Sequence, residues 1–174
     1  MGDVKHAYVT VQLEEAINNL DRVITDYLVE LSRESLSKSE SKLQHSLFQN
    51  IRDIERVGDH FENLVELIQA KDTNRVKFSD EANDELKEMY ELVLDTVNVA
   101  ILALDKQDKK LASEVLKKEE QIDEMERTLR KRHFHRLNDG ECTGEAGVIF
   151  ADIASNLERI GDHAVNIAES VLEE

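Results

Sequence analysis

Glu55-Arg56-Val57-Gly58-Asp59-His60 and Glu158-Arg159-Ile160-Gly161-Asp162-His163 are near-copies of one phrase, set 103 residues apart. Each lies on a stretch whose apolar residues recur at helical spacing: Ile51, Ile54, Val57, Phe61, Leu64 and Ile68 in one, Ile153, Leu157, Ile160, Ala164, Ile167 and Val171 in the other. Such a phrase, used twice on amphipathic helices, marks a supersecondary unit used twice. Any chemistry it supports is expected in duplicate.

Working outward from the two copies, the spacing predicts a first helix from about Tyr8 to Leu36, carrying Val9, Leu13, Ile17, Leu20, Ile24, Leu28 and Leu31. The serine-rich run from Ser35 to Ser41 breaks it and caps a second helix that reaches about Ala70. Ser79 or Asp80 caps a third, through Leu86, Met89, Val93, Val97 and Leu104, which turns near Gln107-Asp108 into a fourth with Leu111, Val115, Ile122, Met125 and Leu129. Asn138-Asp139-Gly140 stops that helix, and a fifth runs from about Glu145 to Leu172.

Five helices are an odd number for a duplication. The stretch Glu15-Ala16-Ile17-Asn18-Asn19-Leu20-Asp21 parallels Glu120-Gln121-Ile122-Asp123-Glu124-Met125-Glu126, so helices four and five match helices one and two. The expected organisation is a partial first repeat over residues 1–79 and a full three-helix repeat over 80–174. On this reading the opening helix of the first repeat was trimmed away or lies upstream in a longer chain.

Composition agrees with an all-α chain: proline is absent and aromatics make up 5% of 174 residues. With 22 basic and 38 acidic residues the formal charge is −16, which repels phosphate backbones and excludes nucleic acid as the expected partner. No apolar run is long enough to span a bilayer and no signal-peptide pattern opens the chain. The lone Cys142 has no disulfide mate, so a cytoplasmic setting is expected.

The phrase carries its acids as Glu-x-x-x-Asp, which sets two carboxylates one turn apart and about 40° around the helix. The second repeat supplies two such pairs, Glu119/Asp123 and Glu158/Asp162, an oxygen-rich set suited to hard or borderline cations. In the first repeat Glu55/Asp59 is intact, but Glu14 is followed by Asn18 where the other copy has Asp123. A chain this acidic holds about eight acidic pairs at spacing four by chance, and Glu91/Asp95 reads as one. The apolar stripe of helix five centres opposite Glu158 and Asp162, so both point outward, and a solvated acidic face would read the same way.

His60 and His163 sit at the edge of that stripe, as boundary residues, ligands or donors behind the ligands. Gly58 and Gly161 disfavour a helix interior, which suggests close helix approach or backbone access beside the acids. The run from Arg127 to His133 reads as a charge cluster favoured at a helix C-terminus.

The segment from Glu158 to Glu169, with Glu119-Glu120-Gln121-Ile122-Asp123 before it, resembles the PhoU family, and the likeness spans about Leu13 to Glu173. The resemblance implies a duplicated three-helix bundle that regulates phosphate uptake through a transporter or a sensor kinase, with a second copy of itself a further partner. It also implies multinuclear iron or zinc held on the bundle surface. Carried over, the ligands are Glu119, Asp123, Glu158 and Asp162 in one site and Glu55, Asp59 and Glu14 in the other.

A chain that begins inside the first bundle is similar to the cytosolic PhoU-like part of sodium/phosphate cotransporter-type membrane proteins, which is the expectation. The alternatives are a free-standing PhoU regulator linking a transporter to a sensor kinase, and a metal-free helical adaptor. A di-iron oxidase needs Glu-x-x-His, and no histidine here has glutamate three residues before it. No nucleophile has the surroundings to act either, so a non-enzyme is expected.

Overall fold

The structure, a computed structural model, describes the backbone of residues 2–173 and the side chains from Gln12 onward, Glu14 excepted. Five helices follow one another: α1 (Gly2–Leu31), α2 (Lys38–Thr73), α3 (Asp80–Lys106), α4 (Lys109–Asn138) and α5 (Gly144–Leu172), and no strand occurs among the described residues. This is the all-α bundle expected.

Capping decides where the helices begin. Ser37 accepts from the Glu40 backbone N–H while the Glu40 carboxylate accepts from the Ser37 N–H, a reciprocal capping box that fixes the start of α2. Ser79 caps α3, Asp108 caps α4 and Thr143 caps α5. Gln107, the C-cap of α3, takes left-handed backbone angles (φ 51°), which lets α4 start directly after it from its own cap, Asp108.

Three helix ends differ from the expectation, the first being the start of α1, at Gly2 instead of about Tyr8. α1 stops at Leu31 instead of Leu36, where the Ser32 hydroxyl bonds back to the Val29 carbonyl and the following amides make tighter turns. α2 continues to Thr73 because Asn74 donates to Ala70, beyond which Arg75 turns left-handed (φ 55°).

α3, α4 and α5 pack pairwise as a three-helix bundle, α5 docks on α2, and α1 packs against α2 alone among the described residues. The core lies where α3, α4 and α5 meet, around the fully buried Met89, Val93, Ile122, Leu129, Phe150 and Ile160. α4 buries Ala112, Val115, Ile122, Leu129 and His133, whereas α1, its counterpart by repeat, buries Leu28 alone among its described side chains.

The repeated glycines sit at matching close approaches. A Cβ on Gly161 would stand 3.2 Å from the Ile122 Cδ1, and one on Gly58 would stand 3.3 Å from the Ile17 Cδ1. Ile122 is fully buried and cannot retreat, while Ile17 is half-buried on a helix with free space beside it. Gly58→Ala should therefore stabilise the fold by up to about 1 kcal/mol through helix propensity, while the same change at Gly161 should bring no gain or a loss. Urea unfolding of the two variants checks this, and equal effects would mean that the two approaches are equally yielding.

Candidate metal centre

The packing of α4 against α5 brings together the acids that the sequence pairs. Asp123 on α4 repels Glu119 on its own helix and both Glu158 and Asp162 on α5. The carboxyls of Glu119, Glu158 and Asp162 are all raised above their ordinary range, first by partial loss of water at the helix interface and then by these neighbours. Asp162 is exposed and Glu119, Asp123 and Glu158 are half-buried, so the cluster opens to solvent as the helical wheel implies.

Arg127 lies 3.5 Å from Asp123 and is the ion-pair partner of that carboxylate. Among the described residues no group of three or more His, Cys, Asp or Glu side chains stands ready-made to enclose an ion. The donor chemistry, four hard carboxylate groups under mutual repulsion, is of a kind that suits a cation.

The first repeat builds a weaker version. The Glu55 carboxyl is raised by burial and then by Asp59, with a further contribution from Asp21 on α1. Arg56 stands 3.8 Å from Glu55 and 3.6 Å from Asp59 and offsets part of that repulsion. Glu14 falls outside the described side chains.

Asp21 was missed by the spacing rule, and so was its counterpart Glu126, which adds to the repulsion on Glu158. Each lies two turns beyond the acid that opens the pattern on its helix, Glu14 or Glu119, and on the same face. A search for acids at i and i+7 as well as at i and i+4 would have found both.

The histidines of the phrase join the repeats. His60 Nδ1 donates to Asn156 Oδ1 at 2.9 Å and His163 Nδ1 donates to Asp53 Oδ1 at 2.8 Å. Asn63 and Asn166 reach the same two acceptors, at 3.4 and 2.9 Å. Donors and acceptors obey the 103-residue repeat, so the two halves of this network are related by a local two-fold axis between α2 and α5. The imidazoles stack across that axis with centroids 5.6 Å apart. Burial holds the His60 imidazole below its usual pKa, against the opposing pull of its bond to Asn156. Both histidines thus take the boundary place that the wheel gave them.

The basic run of α4 makes contacts along the bundle, and the basic residues in the last turn of the helix are His135 and Arg136. Arg130 pairs with Glu126, Arg132 with Glu85 on α3 at 3.2 Å, and His133 is buried. Cys142 is half-buried in the α4–α5 loop, its Sγ 3.8 Å from the His133 Nε2.

The PhoU domain matches this sequence over residues 1–68 and 86–171. The chain belongs to the PhoU family. Crystallised PhoU from Pseudomonas aeruginosa superposes with a TM-score of 0.87 at 25% identity, covering 95% of this chain and 79% of that one. The phosphate transport system regulatory protein PhoU from Streptococcus pneumoniae shares the fold, with a TM-score of 0.83 at 23% identity over 97% of this chain and 78% of that one.

Among PhoU relatives by sequence, the phosphate-specific transport system accessory protein PhoU homolog 1 of Thermotoga maritima is 36% identical over 120 residues, 69% of this chain and 51% of that protein. The PhoU homolog of Xylella fastidiosa Temecula1 is 28% identical over 173 residues, 98% of this chain and 70% of that protein. The chain thus spans about half the length of the first relative. None of the helices among the described residues is long and apolar enough to cross a membrane.

Proposed function

We propose that this PhoU chain is a non-enzymatic regulatory unit of phosphate transport, acting on the cytosolic side by contact with a phosphate transporter and with the sensor kinase that reports on it. The observation that carries the reading is the near full-length alignment with relatives named as accessory proteins of phosphate-specific transport systems. Those names favour a free-standing regulator. None of the three is named as part of a sodium/phosphate cotransporter.

The reading extends to the carboxylate face. Glu119, Asp123, Glu158 and Asp162 would hold iron or zinc, with Glu55, Asp59 and Glu14 forming a lesser site. A bound cation would supply positive charge that relieves the repulsion among these acids. The protein's own part is to hold the acids one turn apart on two packed helices and to leave them open to a partner.

Expression in a bacterium lacking its own PhoU tests the regulatory reading. In phosphate-rich medium the chain should return a phosphate-starvation reporter to its repressed level. A reporter that stays fully induced, with the chain folded and abundant, would overturn the reading.

A further inference from the structure

The second repeat buries a polar ring where the first buries a leucine. His133 on α4 is 6% exposed and lies flat on Phe150. The close approaches of Ile17 to Gly58 and of Ile122 to Gly161 set α1 and α4 in one register, so Leu28, 3% exposed, holds the matching place in the first repeat. A leucine meets the packing demand there, whereas the imidazole adds two nitrogens that a buried place must satisfy or leave at a cost.

Hydrogen bonding does not account for the ring. Its Nδ1 is buried without a partner, and among the described residues the polar contact of Nε2 is the Cys142 Sγ, at 3.8 Å. Gly147 of α5 keeps that edge of the ring clear, since a Cβ there would stand 3.3 Å from Nε2 and 3.0 Å from the Leu137 Cδ1. Gln44 holds the matching place in the first repeat, and its side chain reaches the Leu28 carbonyl. Cys142 is the chain's only cysteine. Imidazole, thiol and glycine thus come together in the second repeat alone, where the duplicated fold does not call for them. The half-buried thiol lies in the loop between α4 and α5, so the pair is reached from solvent.

We propose that the Cys142 Sγ and the His133 Nε2 bind one copper(I) ion between them, at a site separate from the carboxylate face. With bonds of roughly 2.3 Å to thiolate and 2.0 Å to imidazole, their separation of 3.8 Å leaves an angle of about 120° at the ion. An ion therefore fits with both atoms close to where they stand.

The ligand set selects the metal. Thiolate favours soft ions, and copper(I) is soft and accepts few ligands. Structural zinc takes four, and among the described residues no third His, Cys, Asp or Glu stands with this pair. Hard ions prefer the oxygens of acids. Binding exchanges the thiol proton for the metal. The proton goes to solvent, sulfur binds as thiolate, Nε2 binds through its lone pair with the ring proton on Nδ1, and no electron moves. The ion would fasten the α4–α5 loop to α4.

The test is competition for copper(I) with bicinchoninate, without oxygen and with ascorbate as reductant. The metal-free chain should withdraw one copper per molecule, read from the fading colour of the bicinchoninate complex. Cys142→Ser and His133→Leu should each weaken binding at least tenfold. His133→Leu installs the residue that the first repeat buries at this place, and a melt followed by circular dichroism checks its fold. X-ray absorption at the copper edge of the loaded parent should show sulfur and nitrogen bonded to the metal, a readout that needs no variant.

No copper withdrawn from the complex overturns the proposal. Parent affinity in a folded His133→Leu, or copper bonded to sulfur without nitrogen, overturns it by reducing the site to a lone thiol. Zinc that displaces copper(I) at equal concentration overturns the choice of metal.

Discussion

Replacing Phe150 by alanine should lower the free energy of unfolding by about 3–5 kcal/mol, the usual loss for a fully buried phenylalanine. The ring has no exposed surface, and three groups close on it, two from α4 and one from the segment between α2 and α3. The His133 imidazole of α4 stacks on it at 4.3 Å and 9°, Phe78 meets it edge-on at 5.8 Å, and the Arg136 guanidinium stands 5.5 Å from its centre.

These contacts tie α5 to α4 and to the segment that leads into α3, so the cavity would open where three elements converge. For a chain of this size the melting temperature should fall by roughly 10 °C. Urea unfolding checks the magnitude, and a loss below about 1 kcal/mol would mean that the neighbours collapse into the gap. A second readout is specific to the contact. Burial, followed by the nearby Arg136, holds the His133 imidazole below its usual pKa. In Phe150→Ala, water reaches His133 and its pKa should rise, as titration by NMR would show.

Asp162→Asn is expected to act in opposite directions with and without metal. In protein stripped of metal it removes one of the charges that repel across α4 and α5, so the variant should melt higher than the parent at pH 7. The sign with pH follows from the direction of the shift. A carboxyl raised in the folded state stabilises the fold below its ordinary pKa, and that contribution is lost as pH rises through the raised value. The advantage of Asp162→Asn should thus shrink as pH falls into the carboxylate range.

With iron or zinc added, elemental analysis should show metal on the parent that falls by more than half in Asp162→Asn and little in Asp59→Asn. The reason is that Arg56 offsets the charge of the first site and Asn18 brings none to it. A melting temperature in the parent that metal leaves unchanged, with none retained, would sink the metal reading.

The helices were legible because their apolar stripes are long and because α2 and α3 start from serine caps where the sequence places them. The ends of α1 and α2 were less so, since Ser32 and Asn74 act through single bonds that periodicity does not record. Within the carboxylate cluster, Glu119, Asp123, Glu158 and Asp162 were readable from spacing on two neighbouring helices.

Asp53 and Asn156 were not. Their role depends on how α2 docks on α5, a contact between repeats that no intrahelical spacing encodes. Arg132 was misread for a related reason, because its partner Glu85 lies on another helix. Sequence shows which face a side chain takes, and packing decides what that face meets.

The crossed bonds of His60 to Asn156 and His163 to Asp53 also bear on how the chain arose. Neither repeat satisfies its own histidine, because each keeps the acceptor that the other one needs. Two identical single-repeat chains meeting through this face would each give and receive the same bond, the self-complementary contact of a two-fold dimer. The joined chain preserves the geometry of such a pair while freeing its halves to diverge, and Asp53 opposite Asn156 is a trace of that freedom.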